Sequence, residues 1–268
     1  MPSTTRPDLP VPEGLRRGAH RDRKEWMASA RFATDLLART AGRDRLEGIE
    51  MLDVGCGTKL TKALLDDGWP IGRYVGVDVS QPVAHWLQAN VADQRFTFHH
   101  LDARNDLYNP TGAPLDEIDR LPVGDRPFDL ICLFSVFTHL APSDYVAMLR
   151  LLLPHVKPDG RLLFSLFLKD PRNRVALALE QALASADPQE VQRANDRITG
   201  ALGQGGPLFV DEVPETPLLR ARYNRGYALS LVAEGGWAVE ALHPPERHIQ
   251  NFMICRPASV LAGHGEGR

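Results

Sequence analysis

Hydrophobic and polar positions divide the chain into short apolar runs separated by longer amphipathic stretches. Apolar runs lie at 49–54, 74–79 and 128–134, and each is the length of one buried strand. Residues 59–67, between the first two runs, have the apolar spacing of a helix. A strand, a tight turn, a helix and a second strand form the unit of a parallel sheet. The pattern therefore predicts an α/β fold.

The rest of the chain continues this alternation. A helical stripe at 21–40 precedes the first strand, and Ser80-Gln81-Pro82 opens a helix after the second. The stripe at 21–40 is read as core packing, with a lid carrying Trp26 or Arg31 as the alternative. Further strands are predicted at 95–102, at 161–168 after a Lys157–Gly160 turn, and as a closing antiparallel pair at 236–242 and 248–256.

The first strand ends in an acid and a glycine turn. Asp53 is followed by Gly55 and Gly57, and the second strand ends in Asp78. Glycines at a strand end let a ligand approach the backbone, and an acid closing the second strand is placed to hold a ribose diol. The dinucleotide fingerprint G-x-G-x-x-G would need a third glycine where Leu60 stands. The carboxylate of Asp53 also favours a cationic ligand over a pyrophosphate.

These two motifs resemble those of the class I S-adenosylmethionine-dependent methyltransferases. Residues 52–58 (LDVGCGT) are similar to the first motif of that family, and Asp78 to its second acid. The resemblance implies an enzyme with a doubly wound, mostly parallel seven-stranded sheet, helices on both faces and S-adenosylmethionine as cofactor. A dinucleotide enzyme and a non-catalytic cofactor-binding scaffold are the alternatives.

The resemblance also implies a set of cofactor-binding residues. Asp78 would hold the ribose, Asp102 would accept from the adenine amino group, and the backbone N–H of Ala103 would face the adenine ring. The remaining positions expected at the cofactor are Asp53, Gly55, Gly57, Val79, Phe134 and Ser135.

The predicted domain organisation is one methyltransferase domain over residues 21–257, with loose tails at 1–20 and 258–268. Residues 169–222 exceed the minimal fold and contain two helical patterns, at 175–186 and 188–202. We expect this helical insertion after the fifth strand to form a cap over the acceptor. The proline- and glycine-rich stretch at 105–127 is either a plain surface loop or a cover for the site.

His139 is the candidate general base. It follows the fourth strand at the edge where ligands of open α/β sheets bind, and histidine titrates near neutrality. A structural role in the cofactor pocket is the alternative. Weaker candidates for catalysis in the flanking loops are Asp144, Asp170, Tyr223, His243 and His248.

The predicted acceptor is a hydroxyl of a small or medium polar molecule, with a sugar or glycoside favoured by the Arg and acidic residues of the insertion. An Asn-Pro-Pro-Tyr type motif of N-methyltransferases is absent from the sequence. The alternative acceptors are a phenol, carboxyl or amine of a natural product, and an apolar, aromatic-lined pocket would favour these. A requirement for a divalent cation is possible from the sequence, but no motif supports it. The adjacent histidines His99 and His100 would face opposite sides of a strand, so they cannot easily share one ion.

The composition of the chain limits the classes of binding partner that we expect. Across 268 residues, 31 Lys and Arg stand against 34 Asp and Glu, a net charge of −3 that gives no case for nucleic acid. The sequence has no apolar run of membrane-spanning length and no signal-peptide core, so we expect a cytoplasmic protein without membrane insertion. Three scattered cysteines form neither a disulfide framework nor a zinc site. A second copy of the chain remains open as a partner.

Overall fold

A computed structural model describes residues 8–17, 23–168, 207–244 and 250–259. The five helices of this part are α1 (Arg23–Thr40), α2 (Lys59–Asp66), α3 (Gln81–Asn90), α4 (Pro142–Leu152) and α5 (Arg225–Glu234). Its strands are β1 (Glu50–Val54), β2 (Arg73–Asp78), β3 (Phe96–His100), β4 (Phe128–Leu133), β5 (Val156–Leu168), β6 (Phe209–Asp211), β7 (Ala221–Tyr223), β8 (Trp237–His243) and β9 (Asn251–Pro257).

The sheet has the predicted parallel core. Strands run in the order β3-β2-β1-β4-β5, all parallel, and β9 pairs antiparallel with both β5 and β8. The order reverses between β1 and β4, so the carboxyl ends of these two strands open a crevice, the place where open α/β sheets bind ligands. These seven strands confirm the predicted fold class.

Helices cover both faces of the sheet because successive strand residues point to opposite sides. Met51 of β1 belongs to a core cluster with Leu37 of α1 and Leu64 of α2. Its neighbour Leu52 belongs to a second cluster with Leu149 of α4. Each face of the sheet is therefore buried against its own helical layer, as the apolar run at 49–54 requires.

The end of the predicted helical insertion is a β-hairpin instead. Strands β6 and β7 pair antiparallel with each other. Strand β7 also pairs in parallel with the last residues of β5, where Leu168 lies opposite Tyr223. The sheet therefore has nine strands in the described ranges rather than seven. Strands of three residues have too few alternating positions to be read from sequence. The helices predicted at 175–186 and 188–202 lie outside the described residues, as does most of the two predicted tails.

Two local predictions are corrected. The predicted turn Lys157–Gly160 lies within β5, where the register against β4 shifts between Phe128 and Leu130. Ser80 occupies the N-cap position of α3, but its hydroxyl makes no capping bond and accepts from the guanidinium of Arg17 instead. Within the described ranges, each helix is too short or too polar to traverse a lipid bilayer.

Candidate active site

A cavity of about 830 Å³ opens at the carboxyl ends of β1, β2 and β4. Its wall brings together nearly all of the sequence-predicted site residues, although they come from four separate segments. The predicted residues that line it are Asp53, Gly55, Gly57, Asp78, Val79, Ala103, Phe134, Ser135 and His139. The volume lies in the range of small-molecule sites, about 300–1,000 Å³.

The glycine turn after β1 is shaped by two residues with positive φ. Gly55 has φ +72, and a Cβ added there would meet the Cγ2 of Val136 at 2.4 Å. Gly57 has φ +49, and an added Cβ would meet nothing within 4 Å. Gly55 is therefore required for close packing of the turn, whereas Gly57 leaves open space toward the cavity.

Asp78 ties the ends of β1 and β2 together. One carboxylate oxygen accepts from the backbone N–H of Gly57 and the other from that of Ser80, both at 2.8 Å. Burial raises the pKa of Asp78, and these two backbone donors oppose the rise. Each oxygen keeps a further lone pair, so the carboxylate can also accept hydroxyl donors of a ligand.

Asp53 is more deeply buried than the sequence indicates. Its side chain accepts from the Tyr74 hydroxyl at 2.6 Å, the Cys132 thiol also donates to it, and only 2% of its surface is exposed. Burial raises its pKa to about 7, against the effect of these donors. Asp53 is therefore a buried part of the cavity wall, with its carboxyl group held by Tyr74 and Cys132.

Lys59 is a cavity residue that the sequence reasoning missed. Its ammonium donates to the Ser29 hydroxyl at 2.9 Å, and no carboxylate of the described residues forms an ion pair with it. Burial lowers the pKa of Lys59. A partly buried ammonium with one hydroxyl partner is poorly compensated, so a bound anion would stabilise it. The position of Lys59, two residues after Gly57 in the glycine motif, is the sequence feature that would have indicated a place at the cavity.

Asp102 is not brought to the cavity. Its side chain is exposed and accepts from the Asn109 amide at 3.0 Å, while its neighbour Ala103 lines the wall. The adenine contact assigned to Asp102 lacks support from this geometry because the carboxylate is held by the following loop. Asn105 of that loop does line the cavity.

The loop at 105–127 and helix α1 both contribute to the cavity. Tyr108 of the loop lines it and stacks under the guanidinium of Arg17, whose carbon lies 4.4 Å from the ring centroid. Helix α1 contributes Phe32, whose ring lies 5.7 Å from that of Phe252. Trp26, in contrast, is buried in the core, its indole N–H donating to the Arg17 carbonyl.

Ser135 follows β4 in a strained conformation. Its φ is +59, which L residues other than glycine rarely adopt. Its N–H donates to the Ser165 hydroxyl at 2.7 Å, and its own hydroxyl is hydrogen-bonded to the Gln250 amide. These bonds hold the turn that carries Phe134 into the cavity wall.

His139 lies in a short 3-10 turn, Phe137–His139, with its backbone N–H bonded to the Val136 carbonyl. Its Nδ1 lies 3.0 Å from the carbonyl oxygen of Leu218. A carbonyl only accepts, so Nδ1 carries the proton and Nε2 keeps its lone pair. Burial lowers the pKa of His139, with the backbone groups of Leu218 and Leu219 opposing the shift. At neutral pH the ring is therefore a neutral base.

The wall around His139 is mainly apolar and aromatic. The Thr138 hydroxyl oxygen is buried there, with almost no accessible surface, and has no hydrogen-bond partner among the described residues. Described aromatic residues of the cavity are Phe32, Phe134, Phe167, Phe252 and Tyr108.

The structure lends no support to the weaker candidates for catalysis that it describes, or to a metal site in the described residues. The Tyr223 hydroxyl is used in a bond to the Leu140 carbonyl, and Asp144 and His243 do not line the cavity. Asp170 and His248 lie outside the described residues. In the part of the chain that is described, no three His, Cys, Asp or Glu side chains form a group suited to a metal ion.

Comparison with known proteins places the chain in a family. A family model described as a methyltransferase domain matches residues 20–197, more than half of the chain. The chain belongs to this methyltransferase family. Membership confirms the prediction of a methyltransferase, made from the glycine turn and the acid ending β2.

Solved structures of methyltransferase-fold proteins resemble this family member along most of its length. The mitomycin 7-O-methyltransferase has 18% identity, a TM-score of 0.50, and covers 88% of this chain, which spans 58% of that protein. The Burkholderia thailandensis 1,6-didemethyltoxoflavin-N1-methyltransferase, with bound S-adenosylhomocysteine, has 18% identity and a TM-score of 0.51. The match covers 88% of this chain and 81% of that protein. The pyocyanin biosynthetic protein PhzM has 16% identity and a TM-score of 0.52, and the match covers 91% of this chain and 60% of that protein. These likenesses confirm the fold.

Proposed function

We propose that this protein is an S-adenosylmethionine-dependent O-methyltransferase that methylates a hydroxyl of a planar, largely apolar small molecule. The observation that carries the proposal is the cavity at the β1, β2 and β4 ends. It joins the motif residues Gly57 and Asp78 to a histidine with a free ring nitrogen, His139.

The residues of the wall fit the methyl donor. Asp78 has free lone pairs for a ribose diol, and the open side of Gly57 leaves room for the ligand to lie against the turn. The ammonium of Lys59, which donates to the Ser29 hydroxyl and to no carboxylate of the described residues, suits the donor's carboxylate. S-adenosylmethionine supplies the methyl group and a sulfonium that leaves as a neutral thioether.

The chain's own contribution is to align the acceptor and to remove its proton. Orientation of the two reactants in one cavity accounts for a large part of such catalysis. Nε2 of His139 takes the proton of the acceptor hydroxyl as the new oxygen–carbon bond forms, and the imidazolium later returns that proton to water.

The described lining favours an aromatic acceptor over a saccharide. Stacked aromatic and aliphatic side chains bind planar apolar surface, whereas a sugar needs many polar partners. Among the described lining residues, aromatic and aliphatic side chains outnumber polar ones, and Arg220 forms an ion pair with Glu212 at 3.8 Å. A phenolic natural product therefore matches the wall better than the sugar expected from the sequence.

A transfer assay with a methyl-labelled donor tests the proposal. Labelled product is expected with hydroxylated aromatic compounds and not with saccharides or amines, and it should be lost in His139→Gln. Transfer to saccharides alone would overturn the acceptor assignment. Donor binding in titration calorimetry without transfer to any acceptor would favour the cofactor-binding scaffold.

A further inference from the structure

The loop between β6 and β7 is built around one acid, Asp211. Its Oδ1 accepts from the backbone N–H of Val213 at 3.2 Å, and its Oδ2 from that of Leu218 at 2.8 Å. One side chain therefore fixes both ends of the loop. The loop also lines the cavity through Val213 and Leu219.

Leu218 is held in a conformation that it would not adopt alone. Its φ is +56, in the left-handed region where a side chain crowds the following carbonyl. Strain of this kind persists only where the surroundings enforce it. Here the N–H of Leu218 is held by Asp211, and its carbonyl oxygen accepts from Nδ1 of His139 at 3.0 Å. The two bonds lie on opposite sides of the strained residue.

This arrangement decides which nitrogen of His139 carries the proton. The protonated nitrogen of a neutral imidazole is set by the hydrogen bond that its ring makes. The Leu218 carbonyl fixes the proton on Nδ1 and leaves Nε2 with its lone pair. If Leu218 relaxed to negative φ, its carbonyl would turn and the tautomer would no longer be fixed.

We propose that Asp211 is a positioning residue for His139. By holding the Leu218 amide, Asp211 presents the Leu218 carbonyl to Nδ1–H and keeps Nε2 available as a base. The catalytic meaning of this relationship depends on the proposed function, in which Nε2 accepts the proton of the acceptor hydroxyl. The positioning itself is a property of the chain without any ligand.

Long-range ¹H–¹⁵N correlation spectra of the full chain, labelled at histidine and recorded above the histidine pKa range, report the tautomer directly. The His139 signal is identified by its absence in His139→Gln. We expect an Nδ1–H ring in the unmodified protein. In Asp211→Ala we expect a shift toward the Nε2–H form, and a smaller shift in Asp211→Asn, which retains one accepting oxygen. The double variant Asp211→Ala with Leu218→Gly should recover the Nδ1–H form, because glycine adopts positive φ without strain.

Glu215→Gln is the matched control, since it removes an exposed charge from the same loop. It should leave the tautomer unchanged. For Asp211→Ala we expect kcat to fall about 10-fold, less than the roughly 10²–10⁴-fold loss expected without the base, with donor affinity unchanged. An Nε2–H ring in the unmodified protein, or an unaltered tautomer in both Asp211 variants, would overturn the inference. If the tautomer behaves as expected while His139→Gln methylates normally, the positioning stands and the base assignment fails.

Discussion

The carboxylate of Asp78 accepts a hydrogen bond from the backbone N–H of Gly57 over 2.8 Å. The acid that ends β2 thereby holds the glycine turn that ends β1, 21 residues earlier in the chain. Two motifs that are separate in sequence thus form one surface, and that surface is the wall of the cavity.

Replacing Asp78 with alanine should weaken S-adenosylmethionine binding by about 1.5–3 kcal/mol, the contribution of hydrogen bonds to a charged group. Part of this loss comes from the freed Gly57 turn. Titration calorimetry gives the affinity, and Asp35→Ala, an exposed acid of α1, is the control. Unchanged affinity in Asp78→Ala would remove this acid from the ribose role.

The ammonium of Lys59 is expected to bind the carboxylate of the methyl donor. Lys59→Met should weaken S-adenosylmethionine by about 1.5–3 kcal/mol and leave the affinity for decarboxylated S-adenosylmethionine unchanged, because that ligand lacks the anion. Lys24→Met on α1 serves as the control for charge alone. Equal losses for both ligands would show that Lys59 acts on the fold of the turn and not on the carboxylate.

Asp53 makes the stability of the fold depend on pH. Its pKa is raised from 3.8 to about 7, so between these values the unfolded chain releases a proton that the folded chain keeps. Stability conferred by the protonated acid is complete below 3.8 and is lost as pH rises to about 7. The free energy of unfolding of Asp53→Asn should therefore exceed that of the unmodified protein by on the order of a few kcal/mol at pH 8 and by little at pH 4.5. Denaturant unfolding at both pH values measures the difference, and equal differences would contradict the shifted pKa.

Replacement of His139, the proposed base, should affect turnover and not donor binding. His139→Gln is expected to lower kcat by roughly 10²–10⁴-fold while the affinity for S-adenosylmethionine stays the same. Because burial places the pKa of His139 below 6.5, the base is neutral above that value, and kcat of the unmodified protein should fall only at lower pH. Full activity of His139→Gln, or an acid limb above pH 6.5, would return His139 to a structural role.

The parts of the fold that follow from sequence are those fixed by local patterns. Strand β4 is apolar almost throughout and its residues are nearly all buried, so its place in the middle of the sheet could be predicted. The turn at Gly55 and Gly57 could be predicted as well, since positive φ favours glycine. Leu218 has the same backbone conformation without the glycine that would signal it. The hairpin β6–β7 and its contact with His139 were therefore missed.

The nature of the cavity depends on contacts between distant segments. Phe32 and Phe252 lie side by side although 220 positions separate them, and no local pattern indicates that pairing. Asp102 shows the same dependence in another way, because its position at a strand end fits a ligand role, whereas in the fold its carboxylate accepts from the Asn109 amide. The sugar expected from sequence rested on the composition of the insertion, whereas the described wall is mainly aromatic and aliphatic.

Titration calorimetry of the purified chain with S-adenosylmethionine, S-adenosylhomocysteine, NAD and FAD measures most directly what the glycine turn and the acid of β2 hold. Binding of the first two ligands at one site per chain, weakened in Asp78→Ala, with no binding of NAD or FAD, is the predicted result. Binding of a dinucleotide with no heat from S-adenosylmethionine or S-adenosylhomocysteine would contradict it, and would remove the basis for the roles of Lys59 and His139.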